Sequence, residues 1–295
     1  MEKYLTSNLV MESSSIKKSF SSEIDRDFYS SEIRGGVEIC RLKIRDDEDK
    51  KRTGIDIGSY TTIYTQPITS YGEGELEGIS EIVADELMRL ISVQPNEKNK
   101  RLRVLVVGLG NREITSDSLG VRTVDVLNVT RHVELLDEKM FLATRSNSVC
   151  AIACGVLGKT GIETLEILRG IVSQISPDVI VAVDALAARE HGRLASVIQL
   201  SDAGIVPGAG IGNRRDELSA RTLDVPVISI GIPTVISAAT FVCDSLEKCG
   251  ISKIDAKAER TLKELGTLFV TPKDCDALVK TCSDLLARSI EAALM

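Results

Sequence analysis

The chain has 295 residues, 43% of them hydrophobic, which is enough apolar surface for one large domain with an aliphatic core. Its net charge of −7 comes from acidic and basic residues that are interspersed along the chain, and the lack of a clustered basic face disfavours direct binding to nucleic acid. The seven cysteines form no C-x-x-C pair, and no apolar run reaches the length of a membrane span. We therefore expect a cytoplasmic protein without disulfides, structural zinc or membrane contact.

The first 34 residues are polar and rich in serine, and we expect this segment (residues 1–34) to be mobile or removable, with a prosegment of about residues 1–16. Residues 36–44 and 54–65 are rich in valine, isoleucine, threonine and tyrosine, which predicts an antiparallel N-terminal hairpin. The charged run at residues 43–52 is predicted to be its solvated tip. Apolar residues at helical spacing from Leu76 to Leu90 then predict an amphipathic helix.

From Arg103 onward, short apolar runs alternate with helical patterns. The predicted strands cover residues 104–107, 149–153, 179–183, 197–200 and 225–230, and the predicted helices cover 118–129, 163–172 and 235–246. This alternation predicts an α/β fold with a mostly parallel central sheet and helices on both faces, in a single domain of residues 1–295. Two further helical patterns, at residues 254–265 and 277–294, are expected to pack on the outside.

Two aspartates follow the strands of the predicted parallel sheet. Asp117 comes after the run 104–107 and its glycine loop, and Asp184 comes directly after the run 179–183. Because the carboxyl ends of parallel strands open into the crevice where ligands bind, both carboxylates can face one substrate. If they lie close together, their repulsion raises one pKa and leaves a protonated acid beside an ionised base, as water-mediated amide hydrolysis requires. The alternative is that both aspartates cap the segments that follow them.

Three glycine-rich stretches match nucleotide-binding loops only in part. Glu113 stands where Gly108-Leu109-Gly110 would need the third glycine of a dinucleotide fingerprint, and Asn213 stands at the same position after Gly208 and Gly210. The stretch ending in Gly158-Lys159-Thr160 also lacks the first glycine of a phosphate-binding loop. We expect the glycines at 155, 158, 208 and 210 to shape backbone loops around an extended peptide.

Metal and thiol chemistry have weaker support in the sequence. His132 and His191 are the two histidines, and neither lies in a recognisable metal-binding spacing. Thiol catalysis would need a pair such as Cys154 with His132, but cysteine is commonly a small buried hydrophobic residue. We rank thiol catalysis below the two carboxylates and expect neither a metal nor another cofactor.

Six motifs occur in order within residues 33–241, and together they resemble the germination proteases of spore-forming bacteria, peptidase family A25. They are Leu105-Val106-Val107-Gly108-Leu109-Gly110-Asn111, Val129-Thr130-Arg131-His132, Gly155-Val156-Leu157-Gly158, Thr160-Gly161-Ile162-Glu163-Thr164, Val183-Asp184-Ala185-Leu186-Ala187-Ala188-Arg189 and Gly231-Ile232-Pro233-Thr234-Val235.

The resemblance implies an endopeptidase that degrades small acid-soluble spore proteins at germination, located in the cytoplasm of the forespore and in the spore core. It implies a homotetramer, made as a zymogen, with a fold similar to that of the hydrogenase maturation proteases and to phosphorylase-like folds. The two catalytic aspartates of the family fall on Asp117 and Asp184, with no metal required. By the same likeness, Gly110, Asn111 and Glu163 join Gly155, Gly158, Gly208 and Gly210 as substrate-binding residues.

Some positions depart from the family pattern and leave two rival functions open. The family's tryptophan after the glycine loop is Arg112 here, and two of its prolines are Ser116 and Cys154. These changes motivate the hypothesis of a paralogue that binds spore proteins with little or no cleavage. The second rival is a metal-dependent maturation peptidase in which one aspartate and His132 recognise a bound ion. Asn8-Leu9 lacks the acidic residue that precedes leucine at the family's maturation site, so self-processing is expected to be absent or shifted.

Overall fold

The computed structural model describes residues 7–12, 28–91, 101–144, 146–208, 215–251 and 253–295, and its centre is a nine-stranded sheet. The strand order is β1-β2-β3-β7-β8-β6-β4-β5, and β9 pairs with β8. The strands are β1 (Tyr29–Arg34), β2 (Val37–Ile44), β3 (Gly58–Tyr64), β4 (Arg103–Gly108), β5 (Ser148–Ala153), β6 (Val179–Ala187), β7 (Val197–Ser201), β8 (Val227–Ser237) and β9 (Phe269–Val270).

Eleven α-helices belong to the described part of the chain. They are α1 (Asp47–Thr53), α2 (Glu73–Leu90), α3 (Leu119–Val126), α4 (Arg131–Leu136), α5 (Glu138–Thr144), α6 (Leu157–Thr160), α7 (Thr164–Ile175), α8 (Ala220–Leu223), α9 (Ala238–Lys248), α10 (Ala256–Leu265) and α11 (Cys275–Leu294). Within the same residues, no helix is both long and apolar enough to cross a membrane.

The sheet is mixed, so the prediction of a mostly parallel sheet is wrong. Strands β5, β4, β6 and β8 are mutually parallel, whereas β1, β2, β3 and β7 join them through antiparallel pairings, as does β9. The reason lies in the connections. Residues 188–196 join β6 to β7 with one short 3₁₀ turn, and a connection of that length has no room for the crossover that parallel strands need.

The N-terminal region also differs from the prediction. Strand β1 lies within the segment of residues 1–34 that was expected to be mobile or removable, and residues 7–12 pack against the body of the protein. The charged run between β2 and β3 is largely exposed, as predicted, but it forms helix α1. Asp46 caps this helix by accepting hydrogen bonds from the N–H groups of Glu48 and Asp49, which accounts for helix formation in so polar a segment.

Helices cover both faces of the sheet. On one face, α2, α3 and α11 pack on alternate residues of the strands, including Val104, Val106 and Val181. On the other face, α7 and α8 pack on the intervening residues, such as Leu105 and Val107. The expectation that residues 277–294 lie on the outside is wrong, because one side of α11 is buried in the larger core between α2 and α3.

Two strands run further than the apolar pattern predicted, and both extensions lie next to the predicted crevice. Strand β6 continues through Asp184 to Ala187, and β8 continues to Ser237, where a helix was predicted to have begun already. Strand β4 ends at Gly108, opposite Val183, so residues 184–187 of β6 extend beyond it. Asp184 is therefore a strand residue, paired with Gly231 of β8, and not a helix cap.

Candidate active site

A tight loop between β4 and α3 positions Asp117. Its carboxylate Oδ2 accepts a hydrogen bond from the N–H of Asn111 at 2.8 Å, and its carbonyl oxygen accepts from the same N–H at 3.1 Å. Gly110 has a φ of 102°, and a Cβ there would lie 1.8 Å from the Asp117 carbonyl oxygen, so only glycine fits this turn. Asp117 ends a 3₁₀ turn and makes no cap for α3, whose N-cap is Ser118.

Close backbone packing brings this loop to the end of β6. A Cβ on Gly120, in the first turn of α3, would lie 2.1 Å from the carbonyl oxygen of Val183. A Cβ on Gly108 would lie 2.3 Å from the carbonyl oxygen of Gly120. The N–H of Leu109 donates to the Val183 carbonyl at 2.9 Å. Glycine at these positions thus allows the helix that follows Asp117 to rest directly on the strand that carries Asp184.

A buried threonine fixes the loop from the other side. Thr234 on β8 is fully buried, and its hydroxyl donates a hydrogen bond to the carbonyl oxygen of Ser116 at 2.5 Å. This bond ties the residue before Asp117 to the strand next to Asp184. Thr234 was not predicted to have a role in the site, although it lies within the Gly231-Ile232-Pro233-Thr234-Val235 motif.

The two carboxyl groups differ in environment. Asp184 is 7% exposed, and its Oδ1 accepts a hydrogen bond from the N–H of Ala185 at 2.9 Å. Burial, with a further contribution from the negative charge of Asp117, raises the pKa of Asp184 from 3.8 to about 8. Burial also raises the pKa of Asp117, against the opposing effect of the Asn111 N–H. Near neutral pH, the pair therefore favours a protonated Asp184 beside an ionised Asp117.

Both aspartates line one cleft of about 190 Å³ at the carboxyl ends of β4 and β6. Four of the other predicted site residues also line it: Gly110, Gly155, Glu163 and Gly208. Asn111 and Gly158 are outside the lining, although Asn111 holds the Asp117 carboxylate. Gly210 lies outside the described residues.

The cleft is also lined by residues that were not predicted to lie there. Arg215 lies across from Glu163, with Nη1 3.7 Å from Oε1, so the cleft wall carries charges of both signs. Phe269 of β9 adds an aromatic side, and Asn8 enters from the N-terminal segment. Nothing in the local sequence around Asn8 or Phe269 indicated this position, because both reach the cleft by contacts between distant parts of the chain.

Cys154 and His132, which thiol or metal catalysis would use, do not line the cleft. Cys154 is buried outside the cleft lining, and burial raises the pKa of its thiol to about 11, which disfavours the nucleophilic thiolate. His132 is exposed on α4, away from the lining residues. Among the residues that the structure describes, no group of three His, Cys, Asp or Glu side chains could hold a metal ion.

The three departures from the family pattern also separate in space. Ser116 lines the cleft, whereas Cys154 is buried and does not line it. Arg112 is exposed and forms an ion pair with Asp125, so it does not point into the cleft. Only one of the three substitutions therefore touches the candidate site directly.

The known proteins that this chain matches are germination proteases. The family model for germination proteases matches residues 5–250. A germination protease of Clostridium acetobutylicum is 41% identical over 88% of this chain and 85% of its own length. One from Clostridium perfringens is 36% identical over 97% of this chain and 94% of its own, and one from Caldanaerobacter subterraneus is 38% identical over 88% and 85%. The chain belongs to the germination protease family and is a protease that acts on protein substrates.

Proposed function

We propose that this protease is an endopeptidase that starts the degradation of small acid-soluble spore proteins at germination, using Asp117 and Asp184 to hydrolyse the peptide bond. The observation that carries the proposal is the unequal pair of carboxyls in one cleft, with the pKa of Asp184 raised to about 8. Membership of the germination protease family supplies the biological setting.

The two aspartates divide the work according to their protonation. Ionised Asp117 takes a proton from a water molecule, whose oxygen attacks the carbonyl carbon of the substrate. Protonated Asp184 first polarises that carbonyl group or the amide, and then gives its proton to the leaving nitrogen as the C–N bond breaks. One carboxyl gains a proton and the other loses one, so transfer of a proton between them restores the starting state.

The surrounding residues have supporting roles in this proposal. The backbone of Gly110, Gly155 and Gly208 lines the cleft beside the two aspartates, where main-chain groups can hydrogen-bond an extended substrate. Asn111, Gly158 at the start of α6, and Gly210 complete the proposed substrate-binding set. Glu163 and Arg215 present charges on the cleft wall to polar groups of the substrate.

We extend the proposal to the finer properties expected for the family. The whole chain, residues 1–295, forms one peptidase domain with a fold like that of the hydrogenase maturation proteases. It assembles as a homotetramer in the spore core and is made as a zymogen whose N-terminal segment, about residues 1–16, restrains activity. Neither a metal nor another cofactor takes part in the proposed reaction.

The test is cleavage of a purified small acid-soluble spore protein, with products identified by mass spectrometry. The full-length chain and the chain trimmed of its first 16 or so residues are assayed beside Asp117→Asn and Asp184→Asn variants of each. We expect defined cleavage that is insensitive to chelators and about 100- to 10,000-fold slower in either variant, which is the usual share of general acid–base catalysis.

A matched control is Asp125→Asn. Asp125 is a nearby aspartate on α3 that pairs with Arg112 at the surface, outside the cleft. This variant should cleave at the rate of the unsubstituted chain. Near-normal cleavage by both active-site variants would refute the carboxylate mechanism. Inhibition by chelators would favour the metal-dependent alternative, and stoichiometric binding without any cleavage would favour the binding-only paralogue.

A further inference from the structure

Thr234 occupies an irregular position in strand β8. Leu186 of β6 pairs with Pro233 and Ala187 pairs with Val235, so Thr234 is an extra residue of β8 in the register between the two strands. An extra residue of this kind is a β-bulge, which bends the strand and redirects the side chains beside it. Bulges are rare between parallel strands, and they are over-represented next to active sites. The irregularity therefore calls for a reason at this position.

The backbone on both sides of Thr234 is held in place. The carbonyl oxygen of Pro233 accepts a hydrogen bond from the N–H of Ala195 at 2.8 Å, and that of Val235 accepts from the N–H of Ala188 at 3.0 Å. Both donors lie in the connection between β6 and β7. The ring of Pro233 also fixes its own φ. The bulge is thus a rigid base from which the Thr234 side chain projects.

The Thr234 hydroxyl is directed at the turn that contains Asp117. Thr234 is fully buried, and its Oγ1 donates to the carbonyl oxygen of Ser116 at 2.5 Å. A threonine hydroxyl has a single proton to donate, and this bond uses it. Among the hydrogen bonds of the described residues, this is the one that a side chain of the sheet donates to the turn Thr115–Asp117. Other contacts hold the loop at Leu109 and Gly120, outside the turn.

The peptide group that accepts this bond also sets the position of Asp117. The carbonyl of Ser116 and the N–H of Asp117 belong to one planar group. That N–H donates to the carbonyl oxygen of Ile114 at 2.8 Å, so the group is held at both ends. The carboxylate of Asp117 is in turn held by the N–H of Asn111. The main chain of Asp117 is therefore fixed to β8, and its carboxylate is fixed to its own loop.

We propose that Thr234 is a positioning residue for the protease reaction. Its hydroxyl holds the turn Thr115–Asp117 against β8 and so fixes how the carboxyl of Asp117 faces that of Asp184 on the neighbouring strand. Thr234 does not line the cleft, so it acts through Asp117 and not on the substrate. Its importance for catalysis rests on the proposed function, whereas its hold on the turn does not.

The first test compares two substitutions in cleavage of a purified small acid-soluble spore protein. Thr234→Val replaces the hydroxyl by a methyl group of similar size, and Thr234→Ser keeps the hydroxyl. Because a displacement of about 1 Å can cost about 100-fold in rate, Thr234→Val should lower kcat at least about tenfold. Its KM should change less than about threefold, since the groups that bind substrate stay in place. Thr234→Ser should restore kcat to within about threefold of the unsubstituted chain.

Thr123→Val is the matched control. Thr123 of α3 is also fully buried, and its hydroxyl donates to the carbonyl oxygen of Leu119 in the same helix at 2.9 Å. The substitution removes a buried hydroxyl without touching the bond between β8 and the turn. This variant should cleave at the rate of the unsubstituted chain. An equal loss of kcat in Thr123→Val and Thr234→Val would overturn the proposal, because any lost buried hydroxyl would then have the same effect.

The pH profile gives a readout that a general loss of stability would not move. The charged side chains that line the cleft around Asp184 are Asp117, Glu163 and Arg215, and the turn carries only the first of these. If the turn moves away in Thr234→Val, the repulsion from Asp117 weakens and the pKa of Asp184 falls. The alkaline limb of kcat/KM should then shift to lower pH. It should stay in place in Thr234→Ser and Thr123→Val.

Hydrogen exchange tests the turn without any cleavage. The amides of Asn111 and Asp117, which donate within the loop, should exchange at least about tenfold faster in Thr234→Val than in the unsubstituted chain, and at the normal rate in Thr234→Ser. Unchanged exchange in Thr234→Val, a normal kcat in that variant, or a failure of Thr234→Ser to restore kcat would each overturn the proposal. If the unsubstituted chain cuts no spore protein, the proposed hydrolysis fails, and the exchange rates alone decide whether Thr234 holds the turn.

Discussion

Replacing Asp184 by asparagine tests how the fold holds this carboxyl. The substitution keeps the size and shape of the side chain and removes its titration. In the folded protein, burial and the charge of Asp117 raise its pKa from 3.8 to about 8. In the unfolded chain, the same group returns to its ordinary value. Between these two pH values, the unfolded chain loses a proton that the folded protein retains, so rising pH favours unfolding.

The size of the effect follows from the shift. Each pKa unit corresponds to about 1.36 kcal/mol, so the loss of stability grows to about 4 kcal/mol by pH 7 and levels off above pH 8. Well below the ordinary pKa of 3.8 both states are protonated and the contribution is zero. The asparagine variant does not lose stability in this way as the pH rises. Its free energy of unfolding, minus that of the unsubstituted protein, should therefore rise by about 4 kcal/mol from pH 4 to 7.

The assay is urea-induced unfolding followed by circular dichroism at steps of about one pH unit. The control is Asp125→Asn, because the pKa of Asp125 is lowered by its pairing with Arg112 and that carboxyl is ionised throughout the neutral range. Its difference from the unsubstituted protein should be flat across that range. A flat difference for Asp184→Asn as well would mean that Asp184 is ionised in the folded protein at neutral pH, and the division of acid and base roles would fail.

Three further predictions concern packing, a buried ion pair and the thiols. Gly120→Ala should lower the free energy of unfolding by about 3 kcal/mol, because the added Cβ would lie 2.1 Å from the Val183 carbonyl oxygen. The control Gly158→Ala, at a position with open space around it, should change the free energy of unfolding by less than about 0.5 kcal/mol. Equal melting temperatures of the two variants would contradict the close packing at Gly120. Glu86→Gln should cost about 3 kcal/mol at neutral pH, because it leaves Arg41 without its buried partner. The pKa of Glu86 is lowered in the folded protein, so the difference in stability between Glu86→Gln and the unsubstituted protein should shrink as the pH falls below about 4. A difference in urea unfolding that stays constant with pH would argue against the ion pair of Glu86 with Arg41. Iodoacetamide should modify exposed Cys249 in the folded protein and modify buried Cys154 only after denaturation, as mapped by mass spectrometry. Rapid labelling of Cys154 in the folded protein would support thiol catalysis instead.

The parallel half of the sheet could be predicted from the sequence, because residues 104–107 of β4 and 179–183 of β6 are continuous apolar runs, as is typical of strands buried on both faces. The antiparallel direction of β7 follows from the short connection of residues 188–196. The periodicity of apolar residues gives no information about the length of that connection. The helical pattern of α11 gave its extent closely, but periodicity shows only that one side of a helix is apolar. It does not show that this side lies between two other helices in the larger core.

The candidate site also has a part that could be predicted from the sequence and a part that could not. Asp117 and Asp184 could be found because each follows a short apolar run, and one cleft contains them both. The extension of β6 past Asp184 was missed because Ala185, Leu186 and Ala187 fit a helix as well as a strand. The contacts of Asn8 and Glu12 join residues that are more than 170 positions apart, and a polar, serine-rich segment carries no local signal of a buried binding mode.

Residues 7–12 form hydrogen bonds to Ala187 of β6 and Gln199 of β7, and they are connected to the rest of the chain through residues 13–27. Binding within a chain does not depend on the concentration of the protein, and a tethered segment typically has an effective concentration on the order of millimolar. A free peptide with the same intrinsic affinity must reach a similar concentration before it displaces half of the segment. A single cut between residues 13 and 27 would turn this tethered segment into a free peptide, which dilution then removes from the ends of β6 and β7.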